Sequence, residues 1–301
     1  MSISQYIKEI GRGQRGARPL DRAQASDLMG QLLDGAVTDL EIGAFCLAMR
    51  IKGETPDEMA GFLDAAQARM HLFPATNRPL VVLPSYNGAR RLPVLTPLLA
   101  LLVAQRGLPV LIHGSASEDA RVTVAQVLTA LDRAPLTAVR QIACGEAAFA
   151  PLVLISPALK RLLDVRRVIG LRNSGHSMVK LMNPADGAAV IVSSYTHREY
   201  AESMSAVFQL CESTALLLRG TEGEVVADAR RLPQMDGFIR GRHVALEAGE
   251  KGTATGLPHL PAGVDAASTA AYIQDVLHER VSVPPSVAQQ VEHILRLAEA
   301  A

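Results

Sequence analysis

Apolar positions follow two rhythms along the chain, and the rhythm changes near residue 74. Up to about residue 72 the spacing is helical. Leu28, Leu32 and Leu33 share one helix face, with Asp21 placed to cap its start and Gly35 to end it. Asp39 opens a second helix carrying Ile42, Cys46 and Met49. Thr55-Pro56-Asp57-Glu58 starts a third, with Thr as N-cap, Pro at the first helical position and acids in the first turn. Met59, Phe62 and Leu63 form its apolar face. A small all-helical unit over residues 1–74 is expected.

Beyond Phe73-Pro74, short apolar runs alternate with helical stretches. Leu80 to Leu83 reads as a buried strand ended by Pro84, Leu95 to Gln105 as a helix closed by Gly107, and Pro109 to Ile112 as a second strand. A helix over Val122 to Leu131 follows. Further strands are predicted at Leu152–Ile155, Ala188–Val192, Ala215–Leu218 and Arg242–Leu246. Helices are predicted at Pro157–Val168, Glu199–Cys211, Ala266–Leu277 and Ser286–Ala298, and a loop over 247–264. Strand and helix alternating at this spacing mean βαβ units. The predicted fold class is therefore α/β, a small N-terminal helical domain followed by a large α/β domain over 75–301 with a mainly parallel central sheet. Helices near 157–185 are expected to pack back on the helical domain.

Composition agrees with this layering. Apolar residues are 49% of the chain, aromatics only 4%, and Trp is absent, so Ala, Leu and Val must fill the core. The three cysteines, Cys46, Cys144 and Cys211, lie far apart among apolar neighbours; they fit neither a disulfide framework nor a zinc site, and are expected to be reduced core residues. The N-terminus lacks a signal-peptide pattern. The longest greasy run, Leu92 to Ala104, falls short of the ~20 residues a membrane span needs. A soluble cytoplasmic protein with no membrane partner is expected.

Lys plus Arg and Asp plus Glu both count 30, so the formal net charge is zero and overall field alone would not bind nucleic acid. The distribution is uneven. Lys8, Arg12, Arg15, Arg18 and Arg22 form a basic arm with Gly11, Gly13 and Gly16 between them, a composition that suits a pliable segment following phosphates. Lys160, Arg161, Arg166, Arg167, Arg172 and Lys180 are opposed only by Asp164, and Lys160 and Arg167 lie on one helix face. From Asp265 onward acids predominate. Each basic stretch is also what a solvated helix face or a flexible entry segment would look like.

In a parallel sheet, ligands bind at the carboxyl ends of strands. Two such ends carry suitable residues. Ser85 to Arg91 includes Asn87, Gly88, Arg90 and Arg91, where small residues admit a ligand and guanidinium groups fork onto phosphate. His113-Gly114-Ser115, continuing to Ser117, offers amides and hydroxyls. Gly and Ser also serve the turns themselves, so neither loop alone identifies a site. No G-x-S-x-G elbow, Walker motif, Cys-x-x-Cys or His-x-x-x-His occurs.

Taken in order, these loops resemble anthranilate phosphoribosyltransferase over nearly the whole chain. Ser85 to Arg90 stands at that family's glycine-rich loop, Ile112-His113-Gly114 at its Lys-His-Gly loop, and Phe149-Ala150-Pro151, Ser156-Pro157-Ala158 and Val165-Arg166-Arg167 at its Ala-Pro, His-Pro-Ala and Val-Arg segments. Asn183-Pro184 looks like the Asn-Pro that follows. Ile7 to Gly13, Pro84 to Arg90, Arg172-Asn173-Ser174 and Gly220 to Glu224 resemble a divergent YbiB-type DNA-binding branch. The departures are chemical. Ala89-Arg90 replaces the acid that ends the enzymes' glycine-rich loop, Val225-Val226 falls on their Mg²⁺-binding Asp-Glu pair, and Ser156 replaces a substrate-site His, while Arg166 keeps a substrate-contacting Arg. The resemblance implies a retained phosphate cradle without metal chemistry.

The expected function is non-sequence-specific binding of nucleic acid, DNA or RNA, by a homodimer joined through the helical domain, with no cofactor. The contacts would come from Arg12, Arg15, Asn87, Gly88, Arg90, Arg91, His113, Gly114, Ser115, Lys160, Arg166, Arg167, Arg172 and Lys180. The alternative is a phosphoribosyltransferase with an altered substrate, its Mg²⁺ held by Glu222, Glu224 or substrate phosphates. A sensor of a phosphorylated sugar is a third reading of the same phosphate sites.

Overall fold

Side-chain caps start most of the N-terminal helices. The computed structural model describes residues 2–13, 15–116, 120–251, 259–261 and 263–301. Its first helices are α1 (Ser4–Ile10), α2 (Arg22–Leu33), α3 (Asp39–Lys52) and α4 (Pro56–Gln67). Asp21, Thr38 and Thr55 each close a capping box with a Gln or Glu three residues on, so both orphan amide and side chain are satisfied. The acid of the third box, Glu58, is fully buried, pairs with Lys52 at 2.6 Å and accepts the Leu20 amide at 2.9 Å.

The arm is more ordered than its glycines suggested. Ile3 and Ile10 anchor α1 in the core, and Arg12 pairs with Glu9 at 2.7 Å. The Arg18 amide bonds back to the Glu9 carbonyl at the end of α1.

The remaining elements are β1 (Phe73–Pro74), β2 (Leu80–Ser85), α5 (Thr96–Gln105), β3 (Val110–Gly114), α6 (Val124–Ala130), β4 (Ala147–Pro151), α7 (Leu152–Ile155), α8 (Pro157–Ile169), α9 (Gly175–Met178), β5 (Ala185–Asp186), β6 (Ala189–Tyr195), α10 (Arg198–Leu210), β7 (Ala215–Arg219), β8 (Met235–Ile239), β9 (Arg242–Glu247), α11 (Ala266–Leu277) and α12 (Pro285–Glu299). The main sheet runs β4-β3-β2-β6-β7-β8-β9. Its first five strands are parallel; β8 and β9 add antiparallel at one edge.

The sequence reading misplaced one strand. Leu152–Ile155 is the short helix α7, and the strand is the preceding Ala147–Pro151. The apolar run continues through both, and Pro151 ends the strand. Strand β8 was not anticipated, because Asp236 and Gly237 break its apolar pattern. Of the cysteines, only Cys46 is a core residue; Cys144 is exposed and Cys211 half-buried, though all are free thiols. Ser117 and the middle of the expected 247–264 loop lie outside the described residues. No described helix is long and apolar enough to cross a membrane.

Alternate strand residues feed two cores. Val82, Leu111, Ile191 and Leu217 face the helical domain with α8 and α10. Val81, Val110, Val190 and Leu216 face α5, α6, α11 and α12. The helical domain thus shares one core with one face of the sheet: α4 packs on α10 and α9, and α2 on α8.

Candidate functional site

The strand order places the site. From β2 the chain steps to β3 and β4 on one side, while β6 steps to β7 on the other. The β2 crossover helix α5 belongs to one core and the β6 crossover helix α10 to the other. Such a switch point opens a crevice at the carboxyl ends of the two diverging strands. The loops after β2 and β6 leave Ser85 and Tyr195 at its floor.

Two connected hollows occupy this edge. A cleft of about 510 Å³ lies between the domains, with Met49, Arg50 and Met59 on one wall and Arg172, His176, Lys180 and Ser194 on the other. A wider groove of about 1340 Å³ continues past Tyr195, Thr196, His197 and Glu199, which line both. Arg198, Arg219, Arg231 and Lys251 contribute its cations. Among the described residues, no carboxylate pairs with the side chains of Arg90, Arg91, Arg198 or Arg219.

The loop after β2 is held by acids from the loop after β7. Glu224, only 2% exposed, accepts the Ser85 hydroxyl at 2.7 Å, the Gly88 amide at 2.9 Å and the Thr96 hydroxyl at 2.9 Å. Glu222 accepts the amides of Arg90, Arg91 and Leu92 at 3.1 to 3.3 Å. The two loops interlock closely: a Cβ on Gly223 would stand 1.8 Å from the Asn87 side-chain Nδ2, and Gly223 has φ +86°. Only glycine fits there.

The expected contacts therefore divide. Asn87, Arg172 and Lys180 converge: the Arg172 guanidinium donates to the Asn87 side-chain Oδ1 at 3.0 Å, and Lys180 reaches the Gly223 backbone carbonyl at 3.4 Å. Desolvation lowers the Lys180 ammonium to about 8, against the pull of Glu224. His176 beside it is lowered to about 4 by desolvation and by Arg172 and Arg166, so it is neutral at physiological pH. The side chains of Arg90 and Arg91 point out, exposed, while their amides and that of Gly88 are already engaged.

His113 is the clearest departure. It is fully buried, with Nδ1 2.7 Å from the Tyr86 hydroxyl, and burial pushes it down to about 3. It therefore has neither the charge nor the exposure that a phosphate contact needs. Gly114 is buried against the Ser85 carbonyl, and the Ser115 amide bonds that carbonyl at 3.2 Å. On α8, Asp164 binds Lys160 and lies 3.8 Å from Arg167. Arg166 lines neither hollow, though its charge acts on His176 in the cleft. Arg12 and Arg15 stay on the α1 segment, outside both hollows.

Sequence reading missed Arg50, Arg198, Arg219 and the two-acid lock. Arg198 and Arg219 sit just past β6 and at the end of β7, where the strand-end rule would have found them; Arg50 had no local signal. Val225 and Val226 are 1% and 5% exposed, buried in the core beside α11 and α12. No group of three or more His, Cys, Asp or Glu that could hold a metal occurs among the described residues.

Known proteins share this architecture. Residues 4–70 match the glycosyl transferase family helical bundle domain. The uncharacterized protein YbiB of Escherichia coli K12 is 38% identical over 299 residues, covering 97% of this chain and 92% of its own. The anthranilate phosphoribosyltransferase of Methanosarcina acetivorans is 30% identical over 270 residues, covering 85% and 67%. Among solved structures, the anthranilate phosphoribosyltransferase of Thermus thermophilus superposes with a TM-score of 0.73 at 20% identity, covering 98% of this chain and 89% of its own.

Proposed function

We propose that this chain, which belongs to the anthranilate phosphoribosyltransferase-like glycosyl transferase family 3 and within it to the YbiB branch, binds nucleic acid through the phosphate backbone and has lost the metal chemistry of the enzymes. One observation carries this reading: Arg198 and Arg219 line the groove without a carboxylate partner among the described residues, Arg172 and Lys180 line the adjoining cleft, and Arg90 and Arg91 are exposed on the loop whose amides the groove residue Glu222 holds. Guanidinium groups spaced along a groove suit a chain of phosphates better than one small anion. Arg166, Arg167, Lys160 and the arm with Arg12 and Arg15 would extend the track beyond the crevice. With phosphates supplying the contacts, sequence should matter little.

The enzymatic alternative fits these side chains poorly. Phosphoribosyl transfer needs Mg²⁺ to neutralise the leaving pyrophosphate. Val225 and Val226 offer no oxygen to a hard cation, and Glu222 and Glu224 are committed to loop amides and hydroxyls. The same commitment weighs against the sugar-phosphate sensor, whose cradle would be those amides.

A second copy of the chain is the partner that the helical domain suits. Leu40, Leu47 and Ile51 are 83%, 50% and 54% exposed at positions that share one face of α3. Val168 and Leu171 are exposed near the end of α8. Burying this face in a two-fold contact would join two grooves into one longer track. Leu47→Glu is expected to convert a dimer to a monomer in sedimentation, with the protomer still folded. A variant that keeps the wild-type mass would remove α3 from the contact.

The function is tested by fluorescence anisotropy with labelled oligonucleotides of several unrelated sequences, single- and double-stranded. Similar affinities across sequences are expected; no binding at low salt, with turnover of phosphoribosyl diphosphate on adding Mg²⁺, would favour the enzyme. A pH dependence should accompany binding. Lys180 binds phosphate only when protonated, and its value of about 8 means that it discharges as pH rises from about 7 to about 9. Affinity should therefore fall across that window, and Lys180→Met should flatten the change. An equal fall in the variant would assign the titration elsewhere.

A further inference from the structure

We propose that Glu222 is a built-in occupant of an anion nest formed by the backbone of residues 90–92, so that the native chain takes no phosphate there while a chain without this carboxylate takes inorganic pyrophosphate.

Three successive amides, those of Arg90, Arg91 and Leu92, converge on the Glu222 carboxylate. Successive N–H groups pointing to one spot make a concavity for an anion, whatever its source. This nest is not served by its own loop: the carboxylate comes from 130 to 132 residues away in sequence. The chain bends to deliver it. Glu222 adopts φ +53°, in the left-handed region that costs a non-glycine residue energy, and Gly223 follows at φ +86°. Such a conformation persists because the contacts it makes outweigh it.

Glu222 also lines the wide groove, so its removal would open the nest to solvent rather than leave a sealed void. The exposed guanidinium groups of Arg90 and Arg91, without carboxylate partners among the described residues, would then flank an incoming anion. A tethered carboxylate excludes free phosphate by its high effective concentration. The inference stands apart from nucleic-acid binding, which uses the arginine side chains and not these amides.

The test is calorimetric titration with inorganic pyrophosphate, without divalent cations, of the wild-type chain and of Glu222→Ala, Glu222→Gln and Glu250→Ala. Glu250 lines the same groove but accepts the Leu232 amide, so it reports the effect of merely removing a negative charge. Glu222→Ala is expected to bind at least about tenfold tighter than wild type, the step that one charge-assisted hydrogen bond can supply. Glu222→Gln should gain less, and Glu250→Ala should match wild type. The proposal is overturned if wild type binds as tightly as Glu222→Ala, or if Glu250→Ala gains as much. If Glu222→Ala melts early, the shape-conserving Glu222→Gln decides, and no gain in it overturns the proposal.

Discussion

Replacing Glu224 by alanine is expected to lower the unfolding free energy by about 3 kcal/mol, since a buried donor left without its acceptor costs about 1–3 kcal/mol. The carboxylate is 2% exposed and is the shared acceptor for Ser85, Gly88 and Thr96. Without it, two hydroxyls and an amide lose their partner, and Lys180 keeps its desolvation but loses the favourable charge of Glu224. The loss should also free residues 85–92 from the loop after β7. Glu224→Gln retains one acceptor oxygen and should fall between wild type and alanine. Urea unfolding measures it; a change under about 1 kcal/mol would mean that the loops are held by other contacts.

The second large effect concerns affinity. Substituting Arg90, Arg198 and Arg219 together by alanine should weaken oligonucleotide binding roughly 10²–10³-fold at about 0.1 M salt, near a factor of ten per phosphate contact. The loss should be uniform across sequences and should reduce the salt slope by about three. These residues lack carboxylate partners among the described residues, so removing them frees no buried acid, and stability should change little. Unchanged affinity in a folded triple variant would move the track away from the groove and the loop after β2.

Much of the fold was legible because local chemistry and tertiary demand agreed. Asp21 and Thr55 announced their helices through caps that the structure keeps, and the strands at Leu80, Val110 and Ala215 read as buried runs because helices cover both faces. The errors arose where local pattern was ambiguous. The apolar residues 147–155 serve a strand and then a helical turn, and only Pro151 marks the change. Strand β8 is an antiparallel addition whose Asp236 and Gly237 carry no apolar signal.

The candidate site was legible in part for the same reason. Strand-end loops and basic segments stand out in sequence, which is why Asn87, Arg172 and Lys180, which the structure brings together, were legible as candidates. His113 looked like a loop residue yet sits near the end of a central strand buried on both faces. The engagement of the loop amides by Glu222 and Glu224 is a contact across more than 120 residues, which no spacing rule encodes. Arg198 and Arg219 are single charges, and only the strand order shows that they share a groove.

The most direct measurement is the affinity of the wild-type protein for a random-sequence duplex from about 50 to about 200 mM salt. The account predicts a linear fall of log affinity with log salt, with a slope of roughly −4 to −6 for five or six phosphate contacts. Binding that is absent at the lowest salt, or that does not change with salt, would contradict it.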